Sequence, residues 1–194
     1  IDYLSGIEGE SYSKTYIDEN GQSLNDCIRV DLKNSLIIQI TNNLSSKEYS
    51  KLSESEKKEI KSNILNVLMY PSFKRKLTTK EEQIIKNLKN YYKSSLNGAS
   101  HNTTSDVYGG VTNLQIKGSY GHTEPFVDGG NYWYKASGEQ RRQPNKECFA
   151  GWFSNTMLNG EDSKKLRVGF SEHLAYTDKS LEKRVKNMKS EGEC

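Results

Sequence analysis

The side chain best placed for chemistry is Glu147, in the run Gln143-Pro144-Asn145-Lys146-Glu147-Cys148-Phe149-Ala150-Gly151-Trp152-Phe153. Pro144 suits the first position of a helix, where its missing N–H costs nothing, and Gln143 stands where a cap would be. Phe149, Trp152, Phe153 and Met157 recur three and four apart and predict a buried helical stripe. Ala150, Gly151 and Ser154 follow Glu147 at three, four and seven residues, so small side chains lie below the carboxylate and leave room for a ligand. The plainer reading is a first-turn glutamate that complements the helix dipole.

A second candidate group lies upstream, in 99–144. Seven glycines and six aromatics fall there with little helical period. Glycine permits positive φ and close backbone approach, and such a segment just before a carboxylate helix is where substrate contacts are expected. Tyr108, Gly118 and Tyr120 are the substrate-contact candidates. His122 adjoins them in sequence. It would bind or polarise a substrate, or else hold a turn together by hydrogen bonds. Arg141 and Arg142 read as surface residues, and so does His173.

Three stretches resemble the lethal-factor type of zinc metallopeptidase, in the form found at the C-terminus of phage minor head proteins and in bacterial polymorphic toxins. Glu147-Cys148-Phe149-Ala150-Gly151-Trp152-Phe153 is similar to the helix that carries that family's third metal ligand. Ser105-Asp106-Val107-Tyr108-Gly109-Gly110-Val111-Thr112, then Ile116-Lys117-Gly118-Ser119-Tyr120-Gly121-His122, then Tyr132-Trp133, resemble the phage and toxin members more specifically. The likeness covers roughly 100–190 and the first few residues.

This resemblance implies a zincin-like fold, hydrolysis of peptide bonds through a zinc-activated water, and Glu147 as the third metal ligand. It implies that Tyr132 or Tyr134 steadies the tetrahedral oxyanion, with His122 peripheral. The family's other two ligands and its general base come from a His-Glu-x-x-His helix, in which two imidazoles four apart share one face. No such motif occurs in the 194 residues. Ile1-Asp2-Tyr3-Leu4-Ser5-Gly6 resembles the continuation of that helix past its second histidine, so a fragment starting shortly after that histidine is expected. Asp2 would then brace the metal site from behind a ligand. The alternative is a natural end without the metal site. Zinc is expected only together with the missing histidines.

Composition bounds the rest. The hydrophobic fraction is 33% and the mean hydropathy −0.85, so the core is thin for the length. The net charge of +3 does not by itself imply nucleic acid, which is not supported as a partner. Residues 1–26 carry six acids against Lys14, while 71–97 carry seven bases against Glu81 and Glu82. Runs of this kind are usually solvated faces. Cys27, Cys148 and Cys194 have neither disulfide nor metal spacing, which fits a reducing compartment. The expected setting is cytoplasmic or virion-associated, with a secreted effector as the other case. No apolar run approaches the roughly 20 residues of a membrane span.

Several elements must position these groups. Residues 1–24 read as a helix tail and a loop or hairpin with a turn at Asn20-Gly21. Residues 25–98 are a helical scaffold or insertion. Its first helix ends at Leu44, with its β-branched content leaving part ambiguous with strand. Ser53 with Glu56 is a capping box opening a helix stopped before Pro71. Thr79 with Glu82 is a second one, opening a helix through Leu96. In 99–194, Leu114-Gln115-Ile116-Lys117 and Tyr132-Trp133-Tyr134 predict short strands, one of which would offer an edge to an extended peptide. The Glu147 helix comes next, then a helix from Asp162 to Ala175 and a last helix capped by Thr177.

The expected fold is thus α+β and predominantly helical, one domain with a zincin-like C-terminal part. The expected partners are a peptide or protein substrate and phage head or toxin-delivery components. Two rivals stand beside the peptidase reading. One is a non-catalytic structural or interaction domain of a phage head or toxin protein. The other is a metal-independent transferase or nuclease using His122 with Glu147 or Arg141.

Overall fold

The computed structural model describes residues 6–7, 10–11, 24–70, 73–97, 102–119, 121–122, 130, 132–137, 139, 147, 150, 178, 182 and 186. Among these the chain is predominantly helical. A two-residue hairpin pairs β1 (Gly6–Ile7) with β2 (Glu10–Ser11), antiparallel, with Gly6 opposite Ser11. After it come α1 (Leu24–Leu44), a 3₁₀ turn (Lys47–Tyr49), α2 (Glu54–Met69), α3 (Thr79–Ser95) and α4 (Asn102–Val111). No helix among the described residues is long and apolar enough to cross a membrane. Two compact units are present: Leu32–Pro144 forms one, and Ile1–Asp31 with Asn145–Cys194 the other. The glycine- and aromatic-rich segment therefore belongs with the helices that precede it, not with the Glu147 helix.

α1 is helical throughout, so its β-branched residues do not divert it into strand. Ile28, Leu32, Leu36, Ile40 and Leu44 recur every four residues and are all buried. That spacing keeps side chains on one helical face, which settles the ambiguity in favour of helix. α2 starts as its sequence predicts. Ser53 Oγ accepts from the Glu56 N–H at 3.3 Å, and Glu56 accepts from the Ser53 N–H at 2.8 Å. The helix ends at Met69, ahead of Pro71. α3 starts one residue earlier than expected. Its capping box is Thr78 with Glu81, not Thr79 with Glu82. Both pairs have the right types and spacing; what decides is that Glu81 faces the interior.

Glu81 is 1% exposed and organises the α2–α3 connection. Its carboxylate accepts from Arg75 Nη1 and Nη2 at 3.0 and 3.1 Å, from Asn63 of α2 at 3.0 Å, and from the Thr78 N–H and hydroxyl at 2.8 and 3.0 Å. A buried charge needs this degree of satisfaction. Burial pushes the Glu81 carboxyl up, but the Thr78 and Asn63 hydrogen bonds and the Arg75 charge outweigh it and hold it below the ordinary 4.5.

Within the Leu32–Pro144 unit, α3 is tied to α1 by Ser35 Oγ and Tyr92 Oη at 2.7 Å, and by Asn87 donating to Asn43 at 2.9 Å. Burial raises the Tyr92 phenol well above its ordinary value; Tyr108 adds to the rise and Ser35 opposes it. The Tyr92 ring meets that of Tyr108 on α4, with centroids 5.1 Å apart.

α4 corrects the expectation of little helix in 99–144. Ser105 to Thr112 are all buried, so no polar face remains to reveal a helical period. Its Gly109-Gly110 pair reads locally as a break. At Gly110 a Cβ would stand 2.5 Å from the Trp133 ring, so the glycine is there for close packing. The expected strand at Leu114–Lys117 is also absent. Asn113 and Leu114 take positive φ, 48° and 62°, and the Leu114 N–H returns to the Gly109 carbonyl at 2.8 Å. This is a Schellman end to α4, and it breaks the extended run. Tyr132 and Trp133 form a bend, while Tyr134 and Lys135 make isolated bridges rather than a strand, Lys135 pairing with Gly130.

Candidate functional site

α4 and the segment wrapped around it assemble the one chemically distinctive cluster among the described residues. Polar side chains of α4 hold the returning chain. Ser105 Oγ accepts from the Gly118 N–H at 2.9 Å, and Thr112 Oγ1 accepts from the Ile116 N–H at 3.0 Å while donating to the Tyr108 carbonyl at 2.7 Å. At Gly118 a Cβ would run into the Leu96 carbonyl. At Gly121, with φ +93°, it would run into the Asp106 carboxylate. The chain thus passes α4 so closely that only glycine fits at both points.

That close passage delivers His122 to Asp106. The Asp106 carboxylate, 5% exposed, accepts the His122 backbone N–H at 2.6 Å and lies 3.2 Å from the ring Nδ1. The imidazole is stacked on Tyr132, with centroids 3.9 Å apart and planes 6° from parallel. It meets the edge of Trp133 at 5.4 Å, and Tyr132 meets Trp133 edge-on at 4.7 Å. With Nδ1 on the carboxylate, Nε2 is the ring nitrogen left to face outward from a 40%-exposed side chain. Lys117 donates to the His122 carbonyl at 3.1 Å; burial lowers its ammonium pKa and Asp106 partly restores it. A carboxylate-oriented imidazole on an aromatic shelf can accept or donate one proton at a fixed position, or ligate through Nε2.

The structure divides the sequence candidates. His122 and Tyr132 are brought together at the surface of one unit. Tyr134 is 5% exposed, and its hydroxyl donates to the Val111 carbonyl at 3.1 Å. Tyr108 and Gly118 are buried, in contact with Tyr92 and Leu96. Trp133 is fully buried and packs on α4. Glu147 is helical and half-buried, as is Ala150, and belongs to the other unit. Asp2, Tyr120, Arg141 and Arg142 lie outside the described residues. No three His, Cys, Asp or Glu side chains among the described residues come together as a metal-binding set.

Asp106 is the residue that sequence reasoning missed. It stands 16 positions from His122, and nothing in spacing or period links the two. No protein-family model, curated protein or solved structure matches this chain.

Proposed function

We propose that this chain is the C-terminal part of a zinc-metallopeptidase-like module that acts on peptide or protein substrates. Glu147 is its third-ligand carboxylate. The two imidazoles and the base that the chemistry requires belong to a His-Glu-x-x-His helix, which the 194 residues do not contain. When bound, zinc supplies a nucleophilic water and polarises the scissile carbonyl. Of the two phenols that the resemblance offers for the oxyanion, the Tyr134 hydroxyl is engaged by the Val111 carbonyl and the Tyr132 ring is stacked under His122. His122, fixed by Asp106 and stacked on Tyr132, holds that ring in place. The observation that carries the reading is a helical, half-buried Glu147 within a run that resembles the family's ligand helix.

The test is a product extended upstream through any His-Glu-x-x-His sequence in the gene. Stoichiometric zinc, weakened by Glu147→Ala, is expected. An extended product without the motif and without zinc sinks the peptidase reading.

One observation favours a second reading, a non-catalytic structural or docking domain of a phage head or toxin protein. Many of the motif residues behind the resemblance hold one another: Ser105 with Gly118, Asp106 with His122, Gly110 with Trp133. Such residues preserve a fold whether or not a metal is bound. In that case the extended chain stays folded and zinc-free, and chelation leaves its melting temperature unchanged.

A further inference from the structure

α3 and the segment leading into it concentrate positive charge, whereas α2 carries three acids and three bases. Between residues 73 and 97 lie seven bases and two acids. The structure removes one of each from consideration, since Arg75 is consumed by the buried Glu81. What remains is six exposed lysines against a single exposed acid, Glu82. A charge run alone is usually a solvated face. Two further features set this one apart.

The first is aromatic exposure. Tyr70 is 56% exposed, Phe73 43% and Tyr91 46%, in a chain whose other described rings are mostly buried. Tyr70 and Phe73 are joined by a Phe73 N–H to Tyr70 carbonyl bond of 2.7 Å, and Lys74 and Lys76 are exposed beside them. The second is order. The five bonds converging on Glu81 fix Arg75 and Thr78, which flank Lys76 and follow Lys74, so this part of the lysine-bearing segment is held in place. Pre-organisation lowers the entropic cost of binding.

The lysines are also not confined to one side. At 100° per residue, Lys80 and Tyr91 lie on one flank of α3, about 20° apart, while Lys86, Lys89 and Lys93 lie on the other, within about 60° of one another. A planar anionic surface reaches the leading segment and one flank at most. A flexible polyanion can track both, and one that carries flat bases can also stack on exposed rings. We propose that the α2–α3 hairpin, with Tyr70, Phe73 and Tyr91 set among its lysines, is a binding surface for single-stranded nucleic acid. Lysines contact phosphates and rings stack on bases, so recognition is tolerant of sequence.

Fluorescence anisotropy of a short labelled oligothymidylate tests this with the full chain. With about four phosphate contacts, the log–log salt slope is about −3, and raising salt from about 50 to about 200 mM weakens binding about 50-fold. Phe73→Ala is expected to weaken binding about tenfold with the slope unchanged. Lys74→Gln with Lys76→Gln is expected to flatten the slope by about 1.4. All three side chains are exposed, so circular dichroism and melting should match the parent chain. No binding at low salt overturns the proposal. So does binding indifferent to Phe73→Ala and shared equally with heparin, which is charge attraction only. Binding to phosphatidylserine vesicles without binding to the oligonucleotide would assign the hairpin to a membrane surface instead.

Discussion

Tyr132 and Tyr134 are two residues apart and chemically identical, yet their surroundings give them different work. Tyr134 is buried with its hydroxyl on the Val111 carbonyl; Tyr132 is half-buried, with its ring under His122. Tyr134→Phe leaves a buried carbonyl without that donor and should cost about 1 kcal/mol in urea unfolding. An unchanged urea midpoint in Tyr134→Phe would contradict a stabilising role for that bond. At Gly121 the constraint is steric. An alanine there meets both the +93° φ and the Asp106 carboxylate, so Gly121→Ala should destabilise by about 2 kcal/mol or more. It should also abolish the protection of the His122 amide in hydrogen exchange, because the bond to Asp106 is what shields it.

The elements show what a sequence reveals and what it hides. Helix α2 was legible at both ends, since Ser53, Glu56 and Pro71 act locally and need no tertiary partner. For α3 two overlapping capping boxes were available, and only the burial of Glu81 against Arg75 and Asn63 chooses between them. The choice is testable: Thr78→Ala should cost about 1–2 kcal/mol and Thr79→Ala less than about 0.5, by denaturant midpoint. Reversal of that order would restore the later start. α4 was illegible because burial on most sides erases amphipathic period, and because Gly109-Gly110 mimics a loop. Gly110→Ala should raise intrinsic helix propensity by about 1 kcal/mol yet lower stability overall, since the Trp133 ring occupies the space of the new methyl. Of the site, the aromatic partners of His122 lay within the motif runs, whereas Asp106 became significant only once α4 and two close glycines brought the chain back to it.

At the scale of the molecule, the Leu32–Pro144 unit contains a carboxylate whose ionisation is coupled to folding. Glu81 is held below its ordinary value of 4.5 although burial pushes it upward, because bonds from Thr78 and Asn63 and the Arg75 charge prevail. A carboxyl with a depressed folded pKa contributes stability above its unfolded pKa. That contribution fades as pH falls below about 4.5 and is gone beneath the folded value. Stability of this unit should therefore drop with acid from about pH 5 downward, and Glu81→Gln should flatten the dependence while lowering the plateau near neutrality by about 3 kcal/mol. The two tryptophans make the unit observable, because Trp133 lies within Leu32–Pro144 and Trp152 within the other unit. In a Trp152→Phe background, Trp133 fluorescence reports on the Leu32–Pro144 unit alone. Urea midpoints of that protein at a series of pH values, with and without Glu81→Gln, give the two curves. Parallel curves would show that Glu81 is not the titrating group, and a pH dependence that flattens in the variant would place the acid sensitivity of the hairpin in this one buried carboxylate.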